Sequence, residues 1–128
     1  MLSERAADYL ETIYLLSLRQ DTVGVSEVAE ERGVTTPTAR SAIGRLKADG
    51  LVRQRRYGKV VLTETGRRRA AIVYRRHTLL FRFLHDVLGV DPEKADAEAC
   101  RLEHGLSEET LERLVNFLDG YQGTSDAA

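Results

Sequence analysis

The sequence predicts a mostly α-helical fold interrupted by one β-hairpin, and three observations carry that prediction. Apolar residues recur at helical spacing over most of the 128 residues. The period changes only between residues 51 and 63, where β-branched and long polar side chains take over. Glycines at 24, 33, 50, 58 and 89 punctuate the chain where one periodic segment gives way to the next.

Taken in order, Ser3 is a suitable N-cap. Ala6, Tyr9, Leu10, Ile13, Tyr14 and Leu16 then form an apolar stripe through about Leu18. Asp21 to Gly24 breaks that helix. Ser26 is expected to cap a short second helix over Glu27–Arg32, which turns Val28 and Ala29 inward and ends at Gly33 in the left-handed conformation. Thr35 or Thr36 caps a third helix with Pro37 in its first turn, where a missing N–H costs nothing; it runs to Asp49 and stops at Gly50. Leu51–Arg55 and Lys59–Thr63, joined by Arg56-Tyr57-Gly58, read as a hairpin. A long helix from Glu64 to about Leu88 follows, with Ala70, Val73, Leu80, Phe83, Leu84 and Val87 inward. Two further helices, Pro92–His104 and Ser107–Leu118, precede a tail from Gly120 that is expected to be mobile.

Helix, tight turn, helix and hairpin is the winged helix-turn-helix plan. The predicted fold class is therefore mostly α, a winged helix-turn-helix DNA-binding domain (1–72), then an all-helical domain (73–120) and a flexible tail (121–128). Leu106, Leu111, Leu114, Val115 and Leu118 are candidates for a subunit seam, or for packing within one chain.

Net charge is −1, but it is unevenly spread: residues 45–76 carry 11 basic and 2 acidic side chains, whereas residues 86–126 carry 3 and 11. A basic middle between acidic ends points to a polyanionic partner. Small polar side chains at the start of the third helix let its backbone approach a major groove. Thr35, Thr36, Pro37, Thr38, Arg40 and Ser41 fit that requirement. Arg40 is the candidate base reader, and Arg45 the candidate phosphate contact. In the hairpin Arg53, Arg55, Arg56, Tyr57 and Lys59, with Arg67–Arg69 beyond it, would meet phosphates and set register without reading sequence. A solvated Arg-rich face or a protein-binding winged helix would share these features.

No stretch reaches the roughly 18 apolar residues that span a bilayer, and Glu4, Arg5, Asp8 and Glu11 interrupt any secretory core. A cytoplasmic protein with neither membrane nor small-molecule substrate as partner is expected. The lone Cys100 has no internal cysteine to pair with.

Cys100, Glu103 and His104, at i, i+3 and i+4, share one helix face, so thiolate, carboxylate and imidazole can converge on one ion. Asp8 and Glu11 lie one turn apart on the first helix, and His77 sits on the long one. A mixed S/N/O set suits Fe(II), Mn(II), Co(II) or Zn(II) better than calcium. A structural cluster, or a Cys/His nucleophile pair, would use the same residues; no third group or oxyanion loop supports catalysis, and no enzyme is expected.

Residues 4–118 resemble the metal-dependent repressors of the diphtheria toxin repressor and manganese transport regulator family. The resemblance rests on Asp8-Tyr-Leu-Glu11-Thr-Ile-Tyr14, the third-helix frame, Gly58-Lys-Val-Val-Leu-Thr63-Glu-Thr-Gly66, Tyr74-Arg-Arg-His77 and Glu98-Ala-Cys100-Arg-Leu-Glu103-His104-Gly-Leu-Ser107. It implies that Asp8, Cys100, Glu103 and His104 form one metal site. It also implies that Glu11 and His77, helped by Glu103 or Cys100, form a second. Asp8 and Glu11 resemble the manganese branch, whereas Cys100 resembles the iron branch. Phe81 and Asp96 stand where the iron branch uses Glu and His. The thiolate favours Fe2+ over Mn2+, with Zn2+ or Co2+ able to bind in vitro. The resemblance further implies that 73–120 is an all-helical metal-binding and dimerisation domain, and that a homodimer binds a double-stranded DNA operator, repressing genes of iron or manganese homeostasis. It implies a short form without the extra C-terminal domain of larger members. The alternative is a winged-helix regulator answering another signal, with the Cys/Glu/His cluster structural.

Overall fold

Helix α1 (Glu4–Ser17) starts where Ser3 accepts a hydrogen bond from the Ala6 N–H at 3.1 Å, and it buries Tyr9, Leu10, Ile13 and Leu16. The computed structural model describes residues 2–125, and the chain divides into two units, Met1–Val73 and Tyr74–Ala128. Among the described residues no helix is long and apolar enough to cross a membrane.

In the first unit α2 (Val25–Arg32) begins earlier than its sequence suggests. Gly24, not Ser26, is the cap, because the Glu27 carboxylate accepts from the Gly24 N–H at 2.9 Å and satisfies it from inside the helix. Gly33 closes α2 at φ 67°. Thr35 caps α3 (Thr36–Ala48), accepting from the Thr38 N–H at 3.3 Å, with Pro37 in the first turn. Two strands, β1 (Val52–Gln54) and β2 (Val60–Leu62), pair antiparallel with Val52 opposite Leu62. Val23 extends this sheet by bridging to Val60 with backbone bonds of 2.9 and 2.7 Å. The core joins Leu10, Ile13, Val23, Val28, Ile43, Leu46, Leu51, Val52 and Val60, all essentially inaccessible; truncating one such Leu or Ile to Ala typically costs about 2–5 kcal/mol. The Tyr9 hydroxyl is buried in this unit with no hydrogen-bond partner among the described residues, while the Arg5 and Arg32 guanidinium groups lie 5.9 and 5.6 Å from its ring centre.

Helix α4 (Glu64–Arg82) is locked at its start by Thr63. The Thr63 Oγ1 donates to the Gly50 carbonyl at 2.7 Å and accepts from the Gly66 N–H at 3.0 Å. Gly66 is obligatory there, since a Cβ would lie 1.9 Å from the Leu51 carbonyl oxygen.

In the second unit the long helix does not stay α-helical to Leu88 as its sequence suggests. A π-helical turn, Phe83–Val87, replaces its last part, Gly89 follows at φ 75°, and the Val90 carbonyl is met by His85 Nδ1 at 2.9 Å. Leu84 stays inward, but Val87 is exposed rather than buried. Helix α5 (Pro92–Gly105) is capped by Asp91. Helix α6 (Glu108–Ser125), capped by Ser107, runs past the expected end at Leu118 and through most of the expected tail. Buried Leu118, the Arg75–Asp119 ion pair and stacking of Phe117 on Tyr121 hold the helix across Gly120. Only residues 126–128 of that tail lie outside the described residues. Leu111 and Leu118 join Leu79, Leu80, Leu84, Ala95 and Ala99 in the core, with Leu106, Leu114 and Val115 packed against it. The candidate seam residues thus pack within their own chain. The exposed large apolar side chains of α6 and the π-turn are instead Val87, Leu88, Phe117 and Tyr121.

Candidate nucleic-acid interface and metal donors

Helix α3 buries Ala39, Ile43 and Leu46 and turns its other face outward. Pro37, Arg40, Ser41 and Arg45 are exposed on it, and Thr36 and Thr38 are half-exposed. Thr35 is exposed too, but its hydroxyl is already engaged as the cap and donates to Thr38 Oγ1 at 2.8 Å. That leaves Thr36 in this turn, and Ser41 one turn further on, as the hydroxyls of α3 most available to a ligand. The same turn presents the positive end of the helix dipole. Sequence reasoning overlooked Ser3 and Arg5. They line a cavity of about 180 Å³ with Ser41, Ala42 and Arg45, adding the Arg5 guanidinium to those of Arg40 and Arg45 beside the recognition face. Their sequence signal was weak, because Ser3 reads as a cap and Arg5 falls in a net acidic segment.

The wing carries Arg53, Arg55, Arg56 and Lys59, all exposed. Its tip is a turn with two successive positive φ values, Tyr57 at 61° and Gly58 at 71°, closed by the Lys59 N–H to the Arg56 carbonyl at 3.4 Å. Hairpin turns of this hand usually place Asn, Asp or Gly at both positions. A tyrosine at the first costs about 1 kcal/mol. Its side chain, 96% exposed, recovers none of that by packing. Beyond the wing Arg67, Arg68 and Arg69 are exposed on α4, with Arg68 3.4 Å from Glu64.

The donors on α5 occupy its inner face. Glu103 is buried, at 8% exposure, and Cys100 and His104 are half-buried one turn apart. A buried carboxylate is costly unless a cation or a set of donors compensates it. His77 Nδ1 is 3.9 Å from Glu103 Oε2, and its Nε2 is 2.8 Å from Asp96 Oδ1. That second bond is the kind of carboxylate–imidazole contact that orients a ligating histidine. Sequence reading did not assign it, because α4 and α5 meet only in the fold. On α1, Asp8 has a side chain 17% exposed with Oδ2 3.7 Å from an Arg32 nitrogen, and Glu11 is half-buried one turn on. Thiolate, imidazole and carboxylate donors held part-buried on one helix face fit a divalent transition metal; an all-oxygen site would suit calcium.

The first unit is a winged helix-turn-helix with a basic outer face, and the second is a helical unit built around a buried acid and its soft and nitrogenous neighbours. The chain belongs to the iron-dependent repressor family. Residues 1–60 match the model described as the iron dependent repressor N-terminal DNA binding domain, and residues 63–124 match its metal binding and dimerisation domain. It is 40% identical to the iron-dependent repressor IdeR of Mycobacterium tuberculosis over 111 residues, 87% of this chain and 48% of that protein. It is 39% identical to the diphtheria toxin repressor of Corynebacterium diphtheriae over 110 residues, 86% and 49% of the two. The chain thus spans about half the length of these relatives. It matches nearly all of an HTH-type transcriptional regulator of Methanocaldococcus jannaschii, at 33% identity over 94% of this chain and 98% of that one. A solved manganese-dependent transcriptional repressor in complex with manganese superposes with a TM-score of 0.76 at 38% identity, covering 89% of this chain and 52% of that one.

Proposed function

We propose that this chain is a metal-activated, DNA-binding transcriptional repressor of iron or manganese homeostasis, acting in the cytoplasm as a homodimer on a palindromic operator. The observation that carries the reading is that one chain joins an exposed basic recognition face to a part-buried set of thiolate, imidazole and carboxylate donors, and that both halves match the corresponding family models. Arg40 reads a base edge, with Thr36, Pro37, Thr38 and Ser41 beside it. Thr35 holds the turn, and Arg45, Arg55, Arg56, Tyr57 and Lys59 engage the backbone of the duplex.

Asp8, Cys100, Glu103 and His104 supply the main metal site, and Glu11 and His77 contribute to a second. Fe2+ is the proposed signal, because the Cys100 thiolate softens a set that otherwise suits Mn2+. A metal held there would supply positive charge to offset the carboxylates of Glu103 and Asp8. Tying α1 to α5 biases each dimer toward the spacing of two half-sites, roughly one helical turn or a multiple.

The test is an anaerobic DNA-binding titration of metal-stripped protein on its own upstream region, with Fe(II), Mn(II), Zn(II) or no metal. One metal should switch binding on, and Glu103→Gln and His104→Ala should abolish that response while circular dichroism stays unchanged. Equally tight binding without metal, or an unaltered response in both variants, would leave a winged-helix regulator that senses something else.

A further inference from the structure

Tyr57 is the most conspicuous misfit in the first unit. Its backbone adopts the left-handed conformation at φ 61°, the only non-glycine to do so among the described residues. Its side chain is 96% exposed. A turn of this hand is most easily made by Asn-Gly or Gly-Gly, so the fold gains nothing from an aromatic ring at this position. Backbone strain kept at an exposed tip indicates a use outside the fold. Its neighbours indicate the chemistry. Arg55, Arg56 and Lys59 are all exposed around it, and residues 50–63 contain no acidic side chain.

We infer that the wing tip is a minor-groove reader, with Tyr57 and Arg56 selecting A·T-rich, narrow-groove DNA flanking the sequence that α3 reads. The inference rests on the proposed DNA binding and deepens it, turning the wing from a phosphate contact into a source of sequence preference. The physical case has three parts. A narrow A·T groove concentrates negative potential, which favours a guanidinium such as that of Arg56. The groove floor there offers only acceptors, adenine N3 and thymine O2, to which a phenol hydroxyl can donate. A G·C pair places its guanine amino group in the same groove, where it blocks the ring and offers the phenol a competing donor. The hairpin is closed beneath its tip, where the Arg55 N–H donates to the Lys59 carbonyl at 2.6 Å, and its strands pair with Val52 opposite Leu62. The ring is therefore carried on a short, held turn next to the recognition helix.

The experiment begins with the duplex that the metal-loaded full chain selects from a random-sequence pool. Its flanks are then rebuilt as A·T, G·C or inosine·C pairs. Inosine·C presents the minor groove of A·T and the major groove of G·C. Wild type should bind A·T and inosine·C flanks alike, about fivefold tighter than G·C flanks. Tyr57→Gly, which keeps the turn without strain, should weaken binding to A·T flanks most and cut the discrimination to about twofold, the remainder being carried by Arg56. Tyr57→Phe should fall between the two. Inosine·C behaving like G·C, or Tyr57→Gly retaining full discrimination, would overturn the minor-groove assignment while leaving the repressor reading intact. Selection of no duplex under any metal would remove both together.

Discussion

Each unit seals a core, and the two differ in the faces they leave outside it. In residues 1–73 Leu10, Ile13, Ile43, Leu46 and Leu51 are sealed, and the outward face of α3 and the wing is polar and basic. In the second unit Val87 on the π-turn, Leu88 just beyond it, and Phe117 and Tyr121 on α6 stay exposed, although α6 also contributes Leu111 and Leu118 to the interior. A helix that buries one stripe and exposes another apolar one commonly has a second partner to satisfy. The difference suits the proposed division of labour: a reader that meets DNA with a basic face, and a unit whose exposed apolar stripe on α6 would be covered by a second copy.

The most damaging single change should fall in the first unit. Gly66→Ala would set a methyl group 1.9 Å from the Leu51 carbonyl oxygen, and backbone cannot yield as a side-chain tip does. A loss of roughly 3 kcal/mol or more is expected, read as a drop in thermal midpoint by circular dichroism. A melting curve within a degree or two of wild type would show that the junction of hairpin and α4 is not the rigid lock inferred from its geometry.

Phe117→Glu sharpens the other side of the comparison. Because Phe117 is 63% exposed, the monomer should lose less than about 1 kcal/mol, whereas a charge placed in an apolar seam should weaken self-association at least about tenfold. Analytical ultracentrifugation across a dilution series measures this directly. An unchanged dimer constant would move the seam away from this face of α6.

Much of this was legible in the sequence where the signal is local. Thr35 and Pro37 marked the start of α3, and the spacing of Cys100, Glu103 and His104 placed them on one face of α5, where they stand. Signals that depend on tertiary contact were not. Gly24 caps α2 only because Glu27 folds back onto it. Gly120 reads as a helix end, yet Leu118 and Asp119 have partners that carry α6 through it. Asp96 looks like one more surface acid until α4 brings His77 to it. The π-turn at Phe83–Val87 has no period of its own to read, and nothing in Arg-Tyr-Gly tells that the tyrosine shares the left-handed turn with the glycine.

The smallest effect concerns how the first unit is pinned at its α1–α2 junction. The Glu27 carboxylate accepts from the Gln20 side-chain amide at 2.9 and 3.0 Å and from the Gly24 N–H at 2.9 Å. The Gln20 amide first, then the Gly24 N–H, hold its carboxyl below the usual carboxylate range, with Lys59 and Arg19 adding to the effect against a small desolvation cost. A carboxyl lowered by folding stabilises the native state above its unfolded pKa, and that contribution fades as pH falls through the folded value. Glu27→Gln keeps the shape and removes the charge. It should cost about 0.5–1 kcal/mol at neutral pH, within the range of a weakened cap, and the gap from wild type should close as both are acidified below pH ~4. Urea titrations at several pH values give the two curves. Curves that stay parallel into acid would mean that the charge is irrelevant there and that the amide and backbone bonds alone pin the turn.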